Sequence, residues 1–121
     1  MGSWKIWNLA SFKIETFMKC KLVVTVPVTH ADILRDAIGK TGLDRVGNYG
    51  YCSFSTKGVG RFLPLDGASP TIGTVGNIEA VEEERIEISC TREGVAGIIA
   101  AIRVVHPYEE PVIDVYSLEF I

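Results

Sequence analysis

The sequence has few of the residues that build metal and redox centres. Its 121 residues include two histidines, His30 and His106, and three cysteines with no CxxC pair. No HxxH or HExxH spacing is present, so the ligand motifs of common metal-dependent hydrolases are missing. Three widely spaced cysteines are typical of reduced thiols, and we therefore expect a cytoplasmic protein.

Basic clusters and long apolar runs are missing as well. The net charge is −3 at pH 7 and the 12 lysines and arginines are mostly scattered singly, which argues against a nucleic-acid partner. No apolar run approaches the roughly 18 to 20 residues of a membrane span, so no membrane partner is expected. What remains is an ordinary globular composition, 47% apolar and 22% charged, with the length of one domain.

The first residues differ in character from the rest. Residues 1–18 contain both tryptophans, but Lys5, Lys13 and Glu15 interrupt any signal-peptide core. We predict a leader or N-terminal extension over 1–18 and a single domain over 19–121. An artificial or mis-started leader and an extra strand docking on a neighbour both fit this segment. A membrane-surface helix is disfavoured because the segment has too few basic residues.

The first half of the domain predicts a strand and a helix. Polarity alternates over residues 19–26, which is typical of a half-buried strand. Its apolar face carries Cys20, Leu22, Val24 and Val26. Thr29 is the predicted N-cap of the helix that follows. Apolar residues then recur at helical spacing from Ile33, and Gly42 is predicted to end the helix.

The middle of the chain is rich in glycine. Aromatic and small polar residues interleave there, which predicts a β-hairpin with strands over 49–56 and 59–65. The turn is placed at Lys57 and Gly58. Residues 71–78 are predicted to form an extended arm punctuated by glycine. Glycine pairs such as Gly58 and Gly60 would suit a phosphate cradle, but they lack the Walker lysine, and tight turns are the favoured interpretation.

The second half predicts another strand, helix and strand. The first of these strands covers residues 79–90, and Thr91 is placed to cap the helix. That helix has a single apolar stripe and should end at about Val105, because Pro107 cannot extend it. The final strand is predicted over 111–118. The glutamates of residues 79–87 could gather cations, but a solvated strand face is the favoured interpretation.

This order of elements predicts an α+β fold. Two strand–helix–strand halves around an inserted β-hairpin give a ferredoxin-like sandwich, with one antiparallel sheet and both helices on the same face. The other face of such a sheet would stay uncovered. It needs a partner, and self-association is therefore expected.

The segment from His106 to Pro111 holds the candidate site. His106 follows the last helix, whose free carbonyls favour a cation there. With Glu109 and Glu110 it could bind a divalent metal ion, since imidazole and carboxylate suit zinc, copper or manganese. One subunit offers too few ligands, so a subunit interface would have to supply more. The alternative is structural: His106 caps carbonyls, Tyr108 packs and the acids fix the turn. We favour this alternative.

These residues carry a resemblance to a known family. His106-Pro107-Tyr108-Glu109 is similar to a segment of CutA proteins and of the inserted domain of the YqfO, or Nif-three-like, proteins. Three further runs resemble the YqfO insert in order and spacing, and the resemblance covers residues 19–121. These runs are Cys52 to Ser55, Gly58 to Phe62, and Glu79 to Glu87. The resemblance implies a CutA/PII-like fold and a homotrimer, and it leaves open a nucleotide between subunits.

The resemblance also limits the function. In full-length YqfO-type proteins a separate, larger domain carries two metal ions, and this sequence lacks its histidines. We therefore expect the accessory domain alone: a non-enzymatic, trimeric binding or regulatory module for a divalent metal ion or a small anion at subunit interfaces. The alternatives are an interaction domain that docks on a separate metal-centre protein, and a small metal-dependent hydrolase. No catalytic residue and no organic cofactor is assigned.

Overall fold

The computed structural model describes residues 18–119. Its four strands form one sheet, and two α-helices pack on it. The elements are β1 (Lys19–Pro27), α1 (Ala31–Lys40), β2 (Phe54–Phe62), β3 (Glu79–Thr91), α2 (Val95–Val105) and β4 (Ile113–Ser117). Short 3-10 turns at Val28–His30 and Arg92–Gly94 lead into the helices. The leader predicted over residues 1–18 lies almost wholly outside the described residues.

The sheet is antiparallel, with strand order β2-β3-β1-β4. This is the predicted ferredoxin-like arrangement. Even-numbered residues of β1 and β3 face the helices and make the core with apolar residues of both helices, because side chains alternate along a strand. The fully buried members include Leu22, Leu34, Ile86, Ile98 and Ile102. Odd-numbered residues of β1 and β3 form the other face, called the open face below.

The predicted internal hairpin is wrong. Lys57 and Gly58 lie in the middle of β2, where they pair with Glu84 and Glu83 of β3. β2 is one nine-residue strand, and its hairpin partner is β3, reached through the loop of residues 63–78. The ladder to β3 stabilises an extended backbone where the local glycines had favoured a turn. Residues 71–78 form bends and turns instead of an extended arm.

The predicted helix ends are confirmed, but one of the two predicted caps is not. α2 stops at Val105, and Gly42 after α1 has a φ of 71°, a value that suits glycine. Thr91 caps the 3-10 turn that leads into α2 by accepting a hydrogen bond from the Gly94 N–H at 3.2 Å. Thr29 does not cap α1, because its hydroxyl contacts His30 Nδ1 at 2.9 Å. Among the described residues, no helix is long and apolar enough to cross a membrane.

Candidate functional site

His106 connects the end of α2 to the edge of the sheet. Its backbone turns extended before Pro107, with a ψ of 131°, and its N–H donates to the Ile102 carbonyl. Its ring then reaches β1, where Nε2 lies 2.8 Å from the carbonyl oxygen of Thr25. β4 pairs with β1 only as far as Val24, so this carbonyl lies beyond the end of the β4 ladder. The imidazole N–H thus supplies the hydrogen bond that a longer β4 would otherwise have given to this carbonyl.

The second ring nitrogen of His106 is also engaged. The Tyr108 N–H donates to Nδ1 at 3.1 Å, so Nδ1 is the acceptor and Nε2 carries the hydrogen that goes to Thr25. The residue is 8% exposed. Burial lowers the pKa of His106, against weaker raising effects from the Thr25 carbonyl and Glu83. The cationic imidazole expected at the helix end is therefore wrong: this geometry needs the neutral ring.

Tyr108 and Glu83 form the polar centre of the open face. The Tyr108 hydroxyl donates to Glu83 Oε2 at 2.7 Å, and its ring packs edge-on against Phe62 with centroids 5.7 Å apart. Burial raises the pKa of Tyr108, and the hydrogen bond to the Glu83 carboxylate raises it further. Glu83 is only 7% exposed. A carboxylate this deeply buried needs hydrogen bonds, and Tyr108 supplies one of them.

The two acids after Tyr108 lie at the surface. Glu109 Oε1 accepts the Ser69 N–H at 3.1 Å, and the Thr71 hydroxyl donates to the Pro107 carbonyl at 2.6 Å. These two bonds fasten the 63–78 loop to the His106 segment. Glu110 is exposed beside them. The predicted trio of His106, Glu109 and Glu110 thus does not meet at one point in this structure: His106 and Glu109 hold separate contacts, and Glu110 lies at the surface.

Within residues 18–119, no group of three or more His, Cys, Asp or Glu residues is arranged to hold a metal ion. His106 has no free nitrogen in this geometry. In this structure His106, Tyr108 and Glu109 each hold a contact within the fold. Any metal bound by Glu109 and Glu110 needs ligands from another subunit, as the sequence had also indicated.

The acidic run of residues 79–87 and the cysteines lie in different parts of the fold. The acidic run alternates between the faces: Glu84 pairs with Arg35 of α1 on the helix side, while Glu87 pairs with Lys21 and Arg85 on the open face. Arg85 therefore has its partner within the chain. The thiols of Cys20 and Cys90 are buried and free on paired strands, as predicted, and burial raises the pKa of Cys90.

Cys52 and His30 keep to local contacts. Cys52 lies in the loop before β2, where its thiol donates to the Tyr49 carbonyl at 3.4 Å. It was placed in a hairpin strand by the sequence, and that placement is wrong. His30 is the residue before α1, and its Nδ1 contacts the Thr29 hydroxyl. Neither residue joins the polar centre around Glu83.

A pocket of about 710 Å³ lies over the open face beside this centre. Its floor includes Gly58 and Gly60 of β2, two residues apart and so on the same face of the strand. Loop residues 63–72 and residues 108–112 line its walls. Sequence reasoning missed Glu83 and the pocket. The available signal was the glycine pair, because two glycines at alternate strand positions strip one face of side chains.

No family model matches this chain. It is 48% identical over 98 residues to a protein of Halalkalibacterium halodurans named GTP cyclohydrolase 1 type 2 homolog; the match covers 81% of this chain and 26% of that protein. The chain therefore spans about a quarter of the length of the relatives it matches.

Solved structures give the same relationship. A Bacillus cereus protein related to NIF3 is 42% identical, with a TM-score of 0.74 over 85% of this chain and 26% of that one. The periplasmic divalent cation tolerance protein CutA from Archaeoglobus fulgidus is 18% identical, with a TM-score of 0.64 over 85% of this chain and 86% of its own. The second likeness shows that the fold is CutA-like. The first relates the chain to a segment of NIF3-related proteins.

Proposed function

We propose that this domain is a non-enzymatic binding module of the NIF3/YqfO-related family that works as a homotrimer. The observation that carries the proposal is the pocket on the open face, with the buried Glu83 at its floor. Its size lies within the roughly 300 to 1,000 Å³ of typical small-molecule sites. Trimerisation and binding are then properties of one surface.

The chemistry of the open face supports binding over catalysis. His106 donates through one nitrogen and accepts through the other, so no ring nitrogen is left to move a proton. The pKa of Tyr108 is raised, which makes its phenol a poor acid at neutral pH. Two groups that could serve a hydrolase are thus committed to holding the fold.

Three open-face residues at the rim of the sheet favour self-association. Phe54 of β2 is 65% exposed, and Val112 and Tyr116 are also exposed along the opposite edge. Together with the apolar walls of the pocket, these side chains form the apolar surface through which we propose that copies of the chain associate. A subunit count of three follows from the resemblance to CutA and PII proteins. A divalent metal or small anion at such an interface could use Glu109 and Glu110 together with groups of a second subunit.

A native mass spectrum, recorded before and after treatment with a chelator, tests this proposal. We expect the mass of three chains. Mass lost to the chelator would support a metal at the interface, and a bare trimer would support a module whose ligand enters the pocket. A monomer at micromolar concentration would contradict the proposal.

Two surface variants locate the interface. Phe54→Lys places a charge on the open face and should dissociate the trimer. Val104→Lys places the same charge on α2, where the side chain is 84% exposed, and should leave the subunit count unchanged. Equal behaviour of the two variants would place the interface elsewhere on the molecule.

A second candidate function rests on the share of the relatives that the chain covers. Because the match spans 26% of the H. halodurans protein, a domain of this kind accompanies a much larger region there. We propose as the alternative that it docks on a separate protein resembling that region, a metal-centre protein. Recovery of such a protein with the wild type but not with Phe54→Lys would support docking through the open face. Isolation of a trimer that binds no such protein would exclude it.

A further inference from the structure

One oxygen of the Glu83 carboxylate lies open to the pocket. Glu83 Oε2 accepts from the Tyr108 hydroxyl, while Oε1 has no hydrogen-bond donor among residues 18–119. Oε1 lies against Gly60, where an added Cβ would overlap it. Since Glu83 is almost wholly buried and lines the pocket, its only opening is toward that space. A carboxylate oxygen that opens onto a pocket can accept a hydrogen bond from a donor group held there.

The cations around the pocket do not fill this role. Arg85 shares the open face, but its Nε donates to Glu87 Oε2 at 3.2 Å. Lys57 and Arg61 occupy the alternate positions of β2, whose side chains leave the strand on the opposite side from Gly58 and Gly60. All three cations are among the residues that line the pocket, but none of them forms an ion pair with Glu83 among residues 18–119, so its carboxylate has no cationic partner there.

The remaining walls are mostly apolar. They are formed by Phe62, Leu63, Pro64, Leu65, Ile72 and Val112. A charged donor held at the floor would leave the rest of a ligand against these side chains. A pocket that is mostly apolar, with a small number of polar groups, is the usual form of a site for a small organic molecule.

We infer that the open-face pocket binds an organic cation: an amine, amidine or guanidine carried on an apolar body, with its N–H donating to Glu83 Oε1. The inference rests on the proposed function, since it names the ligand class of that binding module. Arginine-like and aryl amidine groups suit the site best, because a planar N–H donor matches a carboxylate held in place by Tyr108.

Isothermal titration with benzamidinium tests the ligand class. We expect half-saturation at or below about 1 mM, as for a small fragment that fills part of a pocket. Benzamide has nearly the same shape without the charge, and it should bind at least about tenfold more weakly because a hydrogen bond to a charged group is lost. Absence of benzamidinium binding, or equal binding of the two probes, would overturn the inference.

Two variants connect binding to the pocket. Glu83→Gln keeps an acceptor for Tyr108 but removes the charge, and should weaken benzamidinium at least about tenfold. Gly58→Val fills the floor: an added Cβ there meets no atom within 4 Å and Gly58 has no positive φ, so the fold tolerates it. Gly50→Val is the matched control, because Gly50 is equally unobstructed but does not line the pocket.

The subunit count of every variant separates this inference from the proposed function. If the protein is a trimer and does not bind benzamidinium, the cation site is refuted and the proposed trimeric module is not. If the protein is a monomer that binds benzamidinium through Glu83, the trimeric module is refuted and the cation site is supported. If Gly58→Val changes the subunit count while benzamidinium still binds, the pocket belongs to a neighbouring copy and the inference fails.

Discussion

Replacing Tyr108 with phenylalanine isolates one hydrogen bond at the centre of the open face. The change removes a hydroxyl whose oxygen lies 2.7 Å from Glu83 Oε2 and leaves the ring to pack against Phe62. Both oxygens of Glu83 would then lack a protein donor among residues 18–119, although the residue is almost wholly buried. The variant therefore measures the loss in free energy of unfolding when this carboxylate has no hydrogen-bond donor from the protein.

The size of the effect follows from the partner's charge. A hydrogen bond to an ionised group contributes about 1.5–3 kcal/mol, and an unsatisfied buried group adds desolvation of similar size. The pocket admits solvent to Glu83, which reduces the penalty, and we expect Tyr108→Phe to lower the free energy of unfolding by about 2 kcal/mol. In a Glu83→Gln background the same change should lower it by about 1 kcal/mol, since the lost bond is then neutral.

Urea unfolding followed by circular dichroism gives these differences. Protomer concentration must be fixed, because self-association adds to apparent stability. Tyr49→Phe is the control: Tyr49 is 76% exposed, and its substitution should stay within about 0.5 kcal/mol of wild type. If Tyr108→Phe and Tyr49→Phe are equally stable, the Glu83–Tyr108 bond is not a stabilising part of this fold.

Two further variants test the histidine and a helix contact. Burial lowers the pKa of His106 below its ordinary value of 6.5, so the unfolded chain binds the proton first and stability is lost as pH falls below that value. His106→Gln keeps a donor for Thr25 but cannot titrate. Its free energy of unfolding in urea should fall less than that of the wild type between pH 7 and pH 5, the difference being at most about 1.4 kcal/mol per pH unit, and a pH profile equal to that of the wild type would contradict this. Gly39→Ala should destabilise α1 despite the roughly 1 kcal/mol helix preference of alanine, because the methyl group would overlap the Tyr51 ring. In a Tyr51→Gly background, which also suits the φ of 56° at that position, thermal unfolding should show Gly39→Ala to be stabilising; failure to change sign would exclude the steric explanation.

The elements with one buried face could be predicted from the sequence. Alternation in β1 and the stripe of α2 follow from contact with a single core, and Pro107 sets the end of α2 whatever surrounds it. β2 was predicted as two shorter strands with a turn between them, because its glycines weaken the local preference for a strand. Its nine residues are held extended by pairing with β3, which is separated from β2 by the 16 residues 63–78. Local patterns do not contain that information.

The site escaped prediction for a related reason. Glu83 looked like one member of a solvated acidic run, and only the register of β2 with β3 sets it beside Gly58 and brings Tyr108 to it. His106 was expected to be cationic near the helix carbonyls. Its ring instead reaches Thr25, because β4 ends before that residue and leaves the carbonyl open. The place where β4 begins therefore leaves open a carbonyl that lies 81 residues from His106 in the sequence, and the imidazole binds it.

The His106–Glu109 segment ties three separate parts of the fold together. His106 bonds to β1, Tyr108 to Glu83 of β3, and Glu109 to the N–H of Ser69 in the loop that walls the pocket. A ligand on Glu83 would therefore act on the same four residues that end α2 and hold the loop.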